Sequence, residues 1–131
     1  MGGDAMPNYQ VLFFVRDNGI APAEEFINGL DDKMSAKVYR LLTMISNNGP
    51  ELREPFSKHL DDGIFELRAK VGSNISRVLY FFVIGKKVIL TNGFIKKTNQ
   101  TPKSEIDKAK NYRKEYFERE ALKDEDTRSS T

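Results

Sequence analysis

Residues 64–95 read IFELRAKVGSNISRVLYFFVIGKKVILTNGFI, and this stretch decides the fold. It holds three apolar runs, residues 64–71, 75–84 and 88–95, separated by two turns that contain glycine. The first run alternates apolar and charged residues, as a half-exposed strand does, whereas the second is apolar nearly throughout, as a central strand is. Because turns this short join strands in opposite directions, the stretch predicts a three-stranded antiparallel meander.

The chain before the meander predicts one further strand and two helices. Residues 9–15 are aromatic and β-branched, which indicates a buried strand that can join the same sheet. Pro22 suits the first turn of a short helix over 23–30. Apolar residues then recur at helical spacing over 33–47, with Asp32 as the predicted N-cap. Two helices with so short a link predict an antiparallel hairpin.

The chain on either side of the meander supplies a loop and a last helix. The loop contains Pro55 and His59. Thr101 is the predicted N-cap of the helix and Pro102 its first residue, and apolar groups recur as far as Tyr116. We expect residues 1–5 to be an expression remnant or disordered, residues 6–119 to form one domain, and residues 120–131 to be a disordered polar tail.

This order of elements predicts an α+β fold in which helices cover one face of a small sheet. The other face would then carry Glu66, Arg68 and Lys70 of the first meander strand and Arg77 of the second. We expect a basic concave surface there.

Composition narrows the function. The 131 residues include no cysteine and a single histidine, which excludes disulfides, thiolate zinc sites, thiol nucleophiles and multi-histidine metal clusters. No apolar run is long enough to span a membrane and no signal peptide opens the sequence, so the cytoplasm is the expected compartment. The net charge of +2 is unevenly spread, because residues 51–103 carry ten basic and five acidic side chains. A basic excess in one region is typical of a surface that attracts a polyanion, although it is equally typical of a solvated face.

Four segments carry a family pattern: FSKHL at 56–60, DGIFELR at 62–68, SRVLYFF at 76–82 and GFIKKT at 93–98. In this order they resemble the phage-derived, HigB-like branch of the RelE toxin superfamily. The resemblance implies a RelE-like fold and the toxin half of a type II toxin–antitoxin pair. It also implies an endoribonuclease that cuts messenger RNA on the ribosome, uses no metal or cofactor, and has a helix-turn-helix antitoxin as its partner.

The resemblance also assigns residues. It places Arg68 and Arg77 at the scissile phosphate, where a guanidinium group suits two phosphate oxygens. Glu66 and His59 are the groups that could transfer protons near neutral pH. The expected RNA-binding residues are Lys58, Lys70, Lys96, Lys97 and Tyr80.

The chain departs from the better-known RelE pattern in one position. That pattern has a tyrosine near the start of the C-terminal helix, whereas this sequence has Ile106 there and its nearest tyrosine is Tyr112. The identity of the general base therefore stays open.

Structural interpretations stand beside these roles. Arg77 and Glu66 could form a cross-strand ion pair, as could Arg68. Lys96 and Lys97 could protect a sheet edge. His59 could be a surface residue and Tyr80 part of the core.

At the level of the protein, the alternative to a nuclease is a non-catalytic basic module on the same fold that binds RNA or an acidic protein.

Overall fold

A computed structural model of the protein describes residues 8–95 and 100–129, with side chains as far as residue 125. Five strands form one mixed sheet in the order β1-β5-β4-β3-β2. The strands are β1 Gln10–Phe13, β2 Ser57–Asp61, β3 Ile64–Val71, β4 Asn74–Val83 and β5 Lys87–Ile95. The helices are α1 Pro22–Asn28, α2 Asp32–Asn48 and α3 Lys103–Ser129, and a short 3-10 turn spans Gly49–Glu51.

The predicted meander is confirmed, because β3 pairs antiparallel with β4 and β4 with β5. The N-terminal strand joins the same sheet by pairing parallel with β5. The loop predicted before the meander is partly wrong, because Ser57–Asp61 is an edge strand paired antiparallel with β3. The sequence SKHLD hides this strand because edge strands are short and polar and have only one partner.

Helices α1 and α2 pack on one face of the sheet, as predicted. Their apolar residues meet Leu67, Val78 and Leu90 in one buried cluster. Helix α1 approaches β5 closely at Gly93, where an added Cβ would lie 2.3 Å from the Phe26 ring. The N-cap of α2 is Asp31, one residue before the predicted Asp32, and its carboxylate accepts a hydrogen bond from the Met34 amide.

Helix α3 covers the opposite face of the sheet, which the sequence had predicted to be open. Ala109, Tyr112 and Tyr116 of α3 pack in a second cluster with Leu79 and Phe81 of β4. Neighbouring residues of a strand point to opposite faces, so these β4 side chains alternate with Val78 and Tyr80 of the first cluster. The molecule therefore has three layers, with α1 and α2 on one face of the sheet and α3 on the other.

Helix α3 also continues to Ser129, where a disordered tail was expected beyond Arg119. The residues of that end, EALKDE at 120–125, are mostly strong helix formers, and Lys123 pairs with Glu120 one turn earlier. Local propensity thus extends the helix after its apolar pattern has ended. Among the helices of the described chain, none is long and apolar enough to cross a membrane.

Candidate functional site

One carboxylate and two guanidinium groups meet on the α3 face of the sheet. Arg68 of β3 lies directly opposite Arg77 of β4, and Glu66 lies two residues before Arg68 on the same face. Glu66 Oε2 is 3.5 Å from Arg68 Nε, and Glu66 Oε1 is 3.4 Å from Arg77 Nε. Thr101 Oγ1 donates a hydrogen bond of 2.7 Å to Glu66 Oε1. We call these four residues the Glu66 cluster.

Burial differs sharply within the Glu66 cluster. The side chains of Glu66 and Arg77 are 0% exposed, whereas that of Arg68 is 18% exposed. The expectation that Glu66 and Arg77 line an open surface is therefore wrong for this structure. The start of α3 covers these side chains. Thr101 bonds Glu66 just before the helix, and Asn92 donates hydrogen bonds to the carbonyl and the carboxylate of Glu105 in its first turn.

The Glu66 cluster has more positive than negative charge. Burial lowers the pKa of the Arg77 guanidinium from its ordinary value, the Glu66 charge opposes this effect, and the Arg68 charge adds to it. Arginine nevertheless stays protonated in proteins because its ordinary pKa is so high. One carboxylate thus faces two cations, so one positive charge is left over, and Arg68 is the cation of this pair that reaches solvent.

Arg68 lies in the wall of a cavity of about 210 Å³, together with Pro55, Lys70 and Ile75. Lys70 is exposed. Both cations on this wall come from one strand, two residues apart, so they face the same side of the sheet. This cavity can accept an anionic group beside a guanidinium whose orientation is fixed from behind by Glu66.

His59 is not brought to the Glu66 cluster. It lies opposite Phe65 in the β2–β3 register, and therefore on the α1–α2 face, whereas Glu66 faces α3. Its Nε2 accepts a hydrogen bond of 3.1 Å from the Gly63 amide, and its ring packs edge-on against Phe65. Lys58 is exposed and lies opposite Glu66 in register, which puts it on the face of the cluster.

Tyr80, predicted as an RNA-binding residue, is instead part of the core. It is 1% exposed and stacks on Phe65, with ring centroids 5.5 Å apart. Its hydroxyl shares a hydrogen bond with the buried Ser57 hydroxyl. Burial raises the pKa of Tyr80 to about 12, against a smaller opposing effect of that bond. A ring enclosed in this way cannot stack on a base, so the structural interpretation is correct.

The remaining residues are two lysines predicted to bind RNA and Thr101, which has a different role from the predicted one. Lys96 and Lys97 lie outside the described residues. Thr101 was expected to cap α3, but its hydroxyl bonds Glu66 instead, and Pro102 provides the carbonyl that accepts from the Glu105 and Ile106 amides. Sequence carried no signal for this, because the partner lies 35 positions away.

The chain is similar to a known protein family and, in its fold, to a solved structure. The model of the family described as phage derived protein Gp49-like (DUF891) matches residues 25–114. The crystal structure of an archaeal RelE–RelB complex from Pyrococcus horikoshii OT3 is similar with a TM-score of 0.47 and 14% sequence identity, over 71% of this chain and 99% of that chain. No curated protein matches the chain in sequence. Because the family model spans more than half of the sequence, the chain belongs to the phage-derived Gp49-like family, a RelE-like toxin family.

Proposed function

We propose that this protein is the toxin of a type II toxin–antitoxin pair and an endoribonuclease that cuts messenger RNA on the ribosome. The observation that carries the proposal is the Glu66 cluster, in which a buried carboxylate orients Arg68 at the wall of a basic cavity. The family, a RelE-like toxin family, supports a toxin. A cytoplasmic site of action and a helix-turn-helix antitoxin as partner are part of the proposal.

In the proposed reaction the 2'-hydroxyl of one nucleotide attacks the adjacent phosphorus. Its oxygen forms a bond to phosphorus while the bond from phosphorus to the 5'-oxygen breaks, which leaves a 2',3'-cyclic phosphate and a 5'-hydroxyl. One proton leaves the 2'-oxygen and one reaches the 5'-oxygen. Negative charge develops on the phosphate oxygens, and a preorganised cation aimed at such charge is usually the largest single catalytic contribution.

Arg68 is the residue that we place at the phosphate. It is the guanidinium group of the Glu66 cluster that is in contact with solvent, and Lys70 adds a second cation in the same cavity. Glu66 and Arg77 become positioning residues in this proposal, because both are fully buried. The phosphate contact predicted for Arg77 passes to Arg68 in this proposal, whereas contact of Lys58, Lys96 and Lys97 with RNA stays a prediction.

The alternative function is a non-catalytic RNA-binding module, and two observations favour it. Glu66 is buried, and His59 lies on the other face of the sheet. The two side chains expected to transfer protons therefore do not meet beside Arg68. Such a module would bind RNA with a steep dependence on salt and leave it intact.

The test is cleavage of messenger RNA on purified ribosomes by wild type, Arg68→Ala and Lys114→Ala. Lys114 is an exposed cation of α3 outside the cavity that Arg68 lines, so it controls for loss of a positive charge. We expect discrete cuts with cyclic phosphate ends, a rate reduced by about 10²–10³-fold in Arg68→Ala, and a rate within about threefold of wild type in Lys114→Ala.

Circular dichroism spectra would confirm that all three proteins are folded. Bound but intact RNA with folded wild-type protein would support the binding module. Equal cleavage by wild type and Arg68→Ala would remove Arg68 from the site.

A further inference from the structure

A second basic cavity lies between α2 and the end of β3. Its volume is about 270 Å³, and its wall contains Lys33, Lys37 and Arg40 of α2 and Lys70 of β3. Val71 and Gly72 complete the wall, so among the described residues no acidic side chain lines this cavity.

The three α2 cations share one helical face. They are spaced by four and three residues, and adjacent turns of a helix place such positions above one another. Lys33 lies in the first turn of α2, where the helix dipole disfavours a cation, and Lys33 and Lys37 repel each other at i,i+4. Stability of α2 alone would therefore not select this arrangement.

The four cations are available to a ligand. Lys33, Arg40 and Lys70 are exposed and Lys37 is half-buried. Within residues 8–95 and 100–125, none of the four forms a salt bridge or a side-chain hydrogen bond.

Lys70 joins this cavity to the one beside Arg68, because its side chain lines both. A continuous basic track therefore runs from Arg68 over Lys70 to Lys33, Lys37 and Arg40. The track passes around the end of the sheet, from the α3 face to the α2 face.

We propose that this basic track binds the phosphate backbone of single-stranded RNA that flanks the nucleotide at Arg68. The inference rests on the proposed function for the position of Arg68, but the binding itself needs no cleavage. A flexible single strand can follow a bent surface, and regularly spaced phosphates match a row of cations. A protein partner fits less well, because protein interfaces have an apolar centre depleted of charge, whereas basic side chains dominate these cavities.

The experiment compares wild type with the triple variant Lys33→Gln, Lys37→Gln, Arg40→Gln. The probe is a short 2'-O-methyl RNA, which lacks the attacking hydroxyl and so measures binding without cleavage. The matched control is Lys86→Gln, Lys114→Gln, Lys123→Gln, which removes the same charge from exposed positions away from the track. Fluorescence anisotropy at several salt concentrations gives the dissociation constants.

We expect the track variant to lose about ten- to a hundredfold in affinity near physiological salt. The slope of log K against log salt should become shallower by about 2, because each phosphate contact on a single strand contributes about 0.7. The control variant should keep the wild-type slope.

Three results would overturn the track. These are an unchanged slope in the track variant, an equal loss in the control variant, and a wild type that binds polyglutamate more tightly than the RNA. The last result would assign the surface to an acidic protein. Failure of the nuclease would look different, since RNA would then still be bound along the track but natural RNA would remain uncut.

Discussion

Glu66 is the residue on which the candidate site depends. Its carboxylate lies between two arginines and accepts a hydrogen bond from Thr101. Burying a charged group is costly unless it is paired. The burial of Arg77 therefore depends on its ion pair with Glu66, and the burial of Glu66 depends on its two arginine partners. The ion-pair interpretation and the phosphate-binding interpretation are therefore compatible, since the same carboxylate that neutralises Arg77 also orients Arg68.

Replacement of Glu66 by glutamine tests this dependence. Glu66→Gln keeps the shape of the side chain but leaves the buried Arg77 without its counter-charge, so the free energy of unfolding should fall by about 3 kcal/mol or more. Urea denaturation measures the loss. The control is Glu120→Gln, since Glu120 is a half-exposed carboxylate that pairs with Lys123 near the surface. Its free energy of unfolding should change by no more than about 0.5 kcal/mol. Equal effects in the two variants would show that the Glu66 cluster contributes no special stability.

Helix α3 is the element that sequence placed least well. Its apolar residues predicted a packed helix, but on the face that α1 and α2 cover rather than on the opposite one. Aromatic rings fix it there: Phe14 stacks on Tyr112 with centroids 5.0 Å apart, and Phe81 meets the Tyr116 ring edge-on at 5.7 Å. Arg113 and Arg119 add hydrogen bonds to the carbonyls of Asp62 and Val15.

Two truncations on α3 should differ in their cost. Tyr116→Ala removes a ring that packs on Phe81, so we expect a loss of about 2 kcal/mol in the free energy of unfolding. Leu122→Ala removes a side chain that is 61% exposed on the same helix and should cost no more than about 0.5 kcal/mol. Thermal denaturation followed by circular dichroism measures both. A loss in Leu122→Ala as large as that in Tyr116→Ala would mean that the end of α3 is packed against something.

At the scale of the whole molecule, the sheet is buried on both faces and polar groups inside it must find partners there. Tyr80 and Ser57 show this, because their hydroxyl groups bond each other from β4 and β2, on either side of β3. The pair joins the edge strand to the centre of the sheet.

The burial of Tyr80 predicts how the stability of the protein depends on pH. Its pKa is raised to about 12 in the folded protein, whereas an unfolded tyrosine titrates near 10. The folded state thus keeps a proton that the unfolded chain releases. This contribution to stability is complete below pH about 10 and is lost as the pH rises to about 12, with a full size of roughly 2–3 kcal/mol.

Tyr80→Phe isolates that contribution. The variant loses the bond to Ser57 but has no phenol to titrate, so its free energy of unfolding should fall less steeply between pH about 10 and 12 than that of wild type. Urea denaturation across this range measures the two slopes, and the other tyrosines and lysines titrate in both proteins. Parallel curves would contradict the assigned burial of the Tyr80 hydroxyl.

The sequence by itself determined the type of the helices and strands of this protein other than β2, which it had indicated to be a loop. The alternation over 64–71, the apolar run that follows it and the helical spacing over 33–47 are local patterns, and each was found close to where it was predicted. The motifs from Phe56 to Thr98 also carried the family. Local periodicity suffices for these conclusions because it records which side of an element is apolar.

Only the tertiary structure decided which groups are buried and which meet. The period of a strand shows that Glu66 and Arg68 share a face, but whether that face is open depends on α3, nearly forty positions later in the chain. Three other features arise in the same way. Thr101 bonds Glu66, His59 is kept apart from the arginines, and Lys70 lines one cavity with the cations of α2. Each depends on packing between distant segments, which no local pattern in the sequence records.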